Sequence, residues 1–485
     1  MEYVVNKELE EKETRAIFTD MLKYAPSKLC GMFGNVITVP IYTNLFSTEQ
    51  YGLYSVSIAM LSFLCIIFSD WVGLSGLRFF RAHQLENDLP KYMTMIVSIL
   101  TINMCLMFGL SFLLKDAMYS FFHVPLKYFM AVLLLIIPVA IRALLQQILR
   151  AQLKSVSYSF TTILNQFVTI GLTVFFAKFF NLGAASILLG MGVAISLIDV
   201  LLFVQCDIMK VFKFQKVEWK FILPIIKYGL PVMATALSAW IITQSNKIIM
   251  GGISGFTKAA FVGVGYGLTL PILMPLFAML TVAVIPRVIN MYEAKIDVRP
   301  IITKFMGYYM LLALPLVAIM SAYSMDYTVL LKTNEKFHEA CTLVPYFSFG
   351  VFFLGLTDYT TLQYHLANKT HLEFIIKLIS GIVGVILNII LIPKMGLVGV
   401  GIATFTANFL YFVLSAIVVL PDFHLNIPKN TLCRIGISAI PATVLYFLFK
   451  LGVISVHGSI QFFATIAIFY CFYGILKFFI YKTSD

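Results

Sequence analysis

The sequence predicts an all-α, polytopic membrane protein of about fourteen transmembrane helices: two six-helix lobes repeated in parallel, then two C-terminal helices. Three observations predict it. Of 485 residues, 60% are hydrophobic and only 12% charged, with a mean hydropathy of +0.92, whereas a soluble domain carries about 25% charge. Apolar runs of about 20 residues, each able to cross a hydrocarbon core ~30 Å thick, recur from end to end and leave no room for a soluble domain. The second part of the chain also echoes the first, as internal repeats do.

The chain opens with "MEYVVNKELEEKETRAIFTD", a mixed-charge segment without the apolar core and small-residue site of a cleaved leader. Residues 1–23 read as a cytoplasmic segment that forms a short amphipathic helix. Spans are then expected at 24–46, 51–75, 92–114, 127–149, 156–178, 183–205, 222–250, 260–286, 303–325, 342–364, 371–392, 397–420, 431–450 and 460–481. In "LFSTEQYGLYS", Ser47 and Gln50 have the spacing of a capping box that starts the second span. Pro271, Pro275 and Pro286 each remove a backbone hydrogen bond in the eighth span and permit a kink there.

Basic residues orient the spans. With the N-terminus in the cytoplasm, 26 of the 35 Lys and Arg fall at inside connections and nine outside, as the positive-inside rule requires. An even span number then puts both termini in the cytoplasm of a multi-pass cell-membrane protein. The same rule accounts for the net charge of +12 without nucleic acid.

The repeat sets the domain boundaries. "KYAPSKLCGMFGN" at 23–35 echoes "KYGLPVMATALSA" at 227–239, and "LQQILRAQLKS" at 145–155 echoes "LQYHLANKT" at 362–370. An even number of spans per half makes the halves parallel repeats, related by an axis along the membrane normal. The expected parts are an N-terminal lobe at 24–209, a basic cytoplasmic linker at 210–221, a C-terminal lobe at 222–421 and two further helices within 422–485.

Polar side chains inside apolar spans are expensive and mark functional candidates. On the first span Lys28, Gly31, Asn35, Thr38 and Tyr42 share one helical face. The fourth carries Arg142, Gln146 and Arg150 at i, i+4 and i+8, and the fifth carries Tyr158, Thr162, Asn165, Thr169 and Thr173. The seventh places Thr235, Ser238 and Ser245 on one stripe with Trp240, Thr243 and Lys247 beside it, and the tenth carries Asp358, Thr361 and His365. Two readings stand for each stripe: a polar cavity wall, or helix–helix contact through small and polar residues. Arg150 and Lys247 also fit interfacial snorkelling. Asp70, Asp199 and Asp358 are the intramembrane acids, and Asp70 is a candidate partner of Arg78 or Arg81. The seven cysteines lie scattered without a CxxC pair and read as small buried hydrophobes. Neither metal nor cofactor is expected, and no nucleotide loop, zincin motif or Ser/His/Asp set supports an enzyme.

Three stretches carry a family resemblance. "LNIILIPKMGLVGVGIATFTANF" (387–409) resembles the span-eleven-to-twelve signature of the multidrug/oligosaccharidyl-lipid/polysaccharide exporter superfamily. "APSKLCGMFGNVITVPIYTNLFSTEQYGLYS" (25–55) and "GLSGLRFFRAH" after the second span resemble its O-antigen and polysaccharide flippase branch. The resemblance covers nearly the whole chain. It implies a V-shaped pair of six-helix lobes around a central cavity, and the transfer of polyprenyl-pyrophosphate-linked oligosaccharides between leaflets for cell-surface polysaccharide synthesis. Membrane lipids, a polysaccharide polymerase and glycosyltransferases are the partners that go with this activity. "SKLCG" matches the S-R-x-x-G element of the related lipid II flippases, with Lys28 at the cationic position. Their neighbouring Arg-Asp pair falls near Gly34 and Asn35, so that charge is missing, a departure from the family pattern that favours a glycan other than lipid II.

On this reading Lys28, Asn35, Arg142, Gln146, Arg150, Asn165 and Lys247 meet the anionic headgroup, since cations lower the energy of bringing a pyrophosphate into the cavity. Proton or sodium antiport is a family expectation, with Asp70, Asp199, Asp358 and His365 as its candidates. A cation-coupled multidrug exporter of the same superfamily is the alternative, although it would want acids rather than a basic excess. A membrane glycosyltransferase or polymerase would need a large outer loop or an acid–base constellation, and neither is present.

Overall fold

The computed structural model describes residues 31–207, 212, 222–326, 333–420, 423 and 429–481, and among these it is helical with no strand. The first helix, α1, covers 31–45. Thirteen further helices among the described residues are long and apolar enough to cross a membrane. They agree with the expected spans to within a few residues at most ends. The chief departures are α2 (Thr48–Leu85), which runs ten residues beyond its apolar stretch, and the 3₁₀ segment Glu335–Leu343 that leads into its span. After α2 come α3 (Leu89–Leu113), the short amphipathic α4 (Lys115–Phe122), α5 (Leu126–Ala151), α6 (Ser155–Phe180) and α7 (Ala185–Gln205). Then follow α8 (Ile222–Ser254), α9 (Phe256–Glu293), α10 (Arg299–Ala322), α11 (Val344–Leu366), α12 (Thr370–Met395), α13 (Leu397–Ile417), α14 (Lys429–Lys450) and α15 (Gly458–Tyr481).

Local chemistry places the ends. The Ser47 side chain accepts from the Gln50 amide at 3.2 Å, and the Gln50 side chain accepts from the Ser47 amide at 3.1 Å. This is the reciprocal cap expected for α2, and it satisfies two orphan donors. Asp297 does a similar service for α10: its carboxylate accepts from the Arg299 amide at 3.0 Å. Asn181 ends α6 in the left-handed region, where a short polar side chain is tolerated. Despite its three prolines α9 is one continuous helix.

The described residues divide into two compact units, one made of those within 41–263 and 377–400, the other of those within 31–40, 264–376 and 401–481. In the first, α2 packs on α5 and α8 around Val56, Ala59, Met60, Val132 and Ile136, all nearly inaccessible. Trp240 of α8 donates its indole N–H to the Ala59 carbonyl at 3.1 Å, and its ring lies 4.9 Å from that of Phe63. Where α7 crosses α6, a Cβ on Gly190 would fall 2.7 Å from the Thr173 nitrogen, so the crossing needs a glycine. Lys154 ties the α5–α6 turn to the end of α7 by donating to the Gln205 carbonyl (2.6 Å) and to Asp207 (3.0 Å).

In the second unit α10 packs on α11, and α14 and α15 pack on α10. Tyrosine hydroxyls stitch these contacts: Tyr309 donates to the Phe352 carbonyl at 3.1 Å, Tyr470 to the Leu312 carbonyl at 3.0 Å, and Tyr323 lies 3.0 Å from Thr465 Oγ1. A buried donor without a partner in hydrocarbon is costly, so tyrosine is useful where its ring fills the core and its hydroxyl finds a carbonyl.

Candidate polar site in the membrane-spanning helices

A charged cluster lies inside the first unit, and its geometry starts in α2. Residues Ile66–Asp70 form a π turn between two α-helical stretches. Such an inserted residue offsets the helical register by about 100° and is common at functional sites. Asp70 closes that turn. It is within electrostatic range of Cys65, as is Arg142 of α5. Arg142 in turn interacts with Asp199 of α7 and Tyr158 of α6. Three helices therefore place Tyr158 and Asp199 within electrostatic range of Arg142, and Asp70 shares with Arg142 only the neighbour Cys65.

The cluster is under-satisfied. Among the described residues Arg142 has neither a hydrogen bond nor an ion pair. The buried Asp199 Oδ1 has no hydrogen-bond partner, and the same holds for Asn165 Oδ1 and Thr169 Oγ1 on α6. Native proteins leave few such atoms, and each calls for an explanation such as a ligand. Nearer the end of α5, Gln146 donates to Thr162 at 3.4 Å. Arg150 donates to the Tyr158 hydroxyl at 3.0 Å, with its guanidinium 4.6 Å from the centre of that ring.

The other candidates are placed apart. Lys28 lies outside the described residues, as do Lys210, Lys213, Lys216 and Lys220 of the basic linker. Asn35 is on the exposed side of α1. Lys247 donates to Gln244 of its own helix at 2.8 Å. Thr235 and Ser238 donate to carbonyls four residues back, so those hydroxyls of the α8 stripe are satisfied locally. Tyr42 of α1 is buried and donates to Thr173 of α6 at 3.2 Å, which makes that end of both stripes a helix contact.

One expectation is corrected. Asp70 forms no ion pair with Arg78 or Arg81 among the described residues. Eight residues of helix put Arg78 about 12 Å further along the axis, and Arg81 instead donates to Gln84 at 2.6 Å.

In the second unit Asp358 of α11 is within electrostatic range of Tyr309, Tyr359 and Tyr411. His365, at the end of α11, is half exposed and its Nε2 lies 2.9 Å from Glu373 Oε2. Sequence reasoning passed over Glu373 and Tyr411. Glu373 stands three residues after Thr370 at the start of an apolar run, where an acid reads as an ordinary helix start. Elsewhere His83, Glu86 and Asp88 hold possible ligand atoms within 4.8 Å of one another. His83 Nδ1 lies 2.8 Å from Asp88 and its ring stacks 4.2 Å from that of Tyr92, contacts that close the α2–α3 turn.

The comparisons with known proteins follow the same lines. No curated protein sequence matches the chain. The fold resembles that of the lipid II flippase MurJ in an inward closed conformation, with a TM-score of 0.75 and 14% identity, over 94% of this chain and 97% of that one. It also resembles an inward-facing multidrug resistance MATE family transporter of the MOP superfamily (TM-score 0.66, 12% identity, 80% of this chain and 92% of that one). The eukaryotic MATE transporter AtDTX14 is more distant, with a TM-score of 0.56 and 16% identity over 88% and 98% of the two chains. These likenesses bear out the all-α transporter fold. A family described as polysaccharide biosynthesis protein matches residues 24–292, a stretch that holds α1, the π turn, Arg142 and Asp199. With more than half its length matched, and with the flippase-branch resemblance of its opening borne out, the chain belongs to the polysaccharide biosynthesis protein family.

Proposed function

We propose that the chain is a flippase that carries a polyprenyl-pyrophosphate-linked oligosaccharide across the cytoplasmic membrane by alternating access, with both termini in the cytoplasm. The observation that carries this reading is Arg142: a cation in the membrane-spanning part of α5 with no hydrogen bond or ion pair among the described residues, beside orphaned polar atoms on α6 and α7. A cation left in that state stabilises an arriving anion strongly, because a hydrogen bond to a charged group contributes about 1.5–3 kcal/mol. Arg142, Gln146 and Arg150 form a line along α5 that a pyrophosphate follows, with Lys28 as a further cation. Asn35, Asn165 and Lys247 contribute polar contacts, while the prenyl tail stays in lipid and the glycan moves through the polar interior. The repeat supports two six-helix lobes, 24–209 and 222–421, as the moving parts, with the basic linker 210–221 between them and the helices within 422–485 appended. Membership of a polysaccharide biosynthesis family supports a glycan over a drug, and the basic excess supports an anion over a cation.

Reconstitution tests this. Proteoliposomes loaded with a fluorescent polyprenyl-pyrophosphoryl sugar are assayed for transfer between leaflets. The wild type is expected to accelerate transfer, and Arg142→Ala to lose most of it at equal protein content. Transfer by Arg142→Ala at the wild-type rate would remove the headgroup assignment. No transfer by any form, combined with export of organic cations, would favour the multidrug exporter.

A further inference from the structure

A cavity of about 840 Å³ opens on the second unit beside the α9–α10 connection and the α11–α12 turn. Its charged wall comprises Glu293, Lys295, Asp297, Arg299 and His365. Asp297 is committed to Arg299, whose guanidinium donates to both carboxylate oxygens at 2.8 Å. His365 is not confined to the wall. Its side chain is 50% exposed, yet Nε2 reaches inward to Glu373, whose side chain is only 10% exposed. The second oxygen of that carboxyl accepts from the Tyr411 hydroxyl at 3.3 Å. Tyr364, Ile376 and Tyr411 form the buried apolar cluster there, with Leu372 and Leu414 against it.

The charged form of a carboxyl so enclosed is expensive unless it is paired. Among the described residues Glu373 pairs with a histidine, the one side chain whose ordinary titration falls near neutrality. The proton can therefore sit on either member of the pair. An imidazolium Nε2–H that donates to Oε2 can break its N–H bond as the O–H bond forms. Neutral imidazole remains, and it takes a replacement proton from water in the cavity. Among the described residues, the groups that face Glu373 include His365 and Tyr364 of α11 and Tyr411 of α13. Its own helix adds His371 and Lys377 within about a turn. Tyr411 is also within electrostatic range of Asp358 of α11.

We propose that Glu373 is a proton-binding site, loaded through His365 from this cavity, by which the transporter couples substrate movement to a proton. The coupling rests on the transport reading above; the binding site does not.

The test keeps the two apart. Infrared difference spectra of the full-length protein in lipid vesicles, titrated over about pH 5 to 9, report protonated carboxyl groups without any substrate. A carboxylic C=O band that follows pH is expected in the wild type and should be absent in Glu373→Gln, which keeps a hydrogen-bonding side chain of the same size. In His365→Gln, altered only at the half-exposed edge, the band should remain with its midpoint moved by about one pH unit or more. The same spectrum in Glu373→Gln as in wild type, or an unmoved midpoint in His365→Gln, overturns the site. In the proteoliposome assay a pH gradient should accelerate wild-type transfer, with that acceleration lost in Glu373→Gln; acceleration that persists in the variant overturns the coupling. Absence of transfer in every form would defeat the transport reading while leaving the infrared result to decide the site.

Discussion

Arg142 and Asp297 show two ways in which a single charge is held. Arg142 has no direct partner among the described residues and contacts its surroundings only through longer-range electrostatics. Its replacement by Ala should leave protein abundance near wild type and lower substrate affinity about ten- to hundredfold, the equivalent of one hydrogen bond to a charged group. Lys28→Ala should behave in the same way, whereas Lys213→Ala in the basic linker should be near neutral. The check is complementation with membrane abundance measured in parallel, and normal transport by both Arg142→Ala and Lys28→Ala would contradict it. Asp297 is the opposite case. The hydrogen bonds from Arg299 hold its carboxyl below the usual carboxylate range. Because the folded value is depressed, the stabilisation is complete above the ordinary value of about 4 and disappears as pH falls through the folded one. The pair is about half exposed, so solvent limits its contribution to under about 1 kcal/mol. Asp297→Asn should lower the thermal midpoint slightly at neutral pH, and the difference should shrink as pH falls below about 4. A difference that grows on acidification would contradict the assignment.

Helices were the most legible feature of the sequence, because an uninterrupted apolar run long enough to span hydrocarbon has few other uses. The Ser47–Gln50 cap was legible too, since its two hydrogen bonds depend on local spacing alone. The π turn was not. One extra residue in a uniformly apolar stretch leaves no trace in composition, yet it shifts the helical register at Asp70. The extension of α2 to Leu85 was hidden by its charges, which end an apolar run without ending a helix. Packing distances were equally invisible. A Cβ on Gly52 would overlap the backbone carbonyl of Phe256, whereas one on Gly109 would meet nothing within 4 Å. Gly52→Ala should therefore lower the thermal midpoint, because α2 and the start of α9 would have to separate. Gly109→Ala should raise it slightly, since Ala is the better helix former by about 1 kcal/mol. Equal midpoints for the two variants would mean that the crossing is looser than described.

At the scale of the whole molecule, the family and the all-α transporter fold were legible in motifs and span number. The approach of Arg142 to Asp199 was not, because contacts between distant helices leave no periodicity. Orientation remains a prediction from the basic asymmetry. With native cysteines removed, single cysteines at Thr48 and Lys336 should react with a membrane-impermeant thiol reagent in intact cells, and one at Lys216 should not. Labelling of Lys216→Cys from outside would reverse the topology. The central claim is that a lipid-linked glycan is the cargo. The most direct measurement is to deplete the protein in cells and identify the lipid-linked saccharides of each leaflet by mass spectrometry after surface-selective cleavage. The flippase reading predicts that one polyprenyl-pyrophosphate-linked oligosaccharide accumulates on the cytoplasmic leaflet and clears when wild type, but not Arg142→Ala, is restored. Unchanged lipid-linked saccharides together with hypersensitivity to cationic drugs would contradict it.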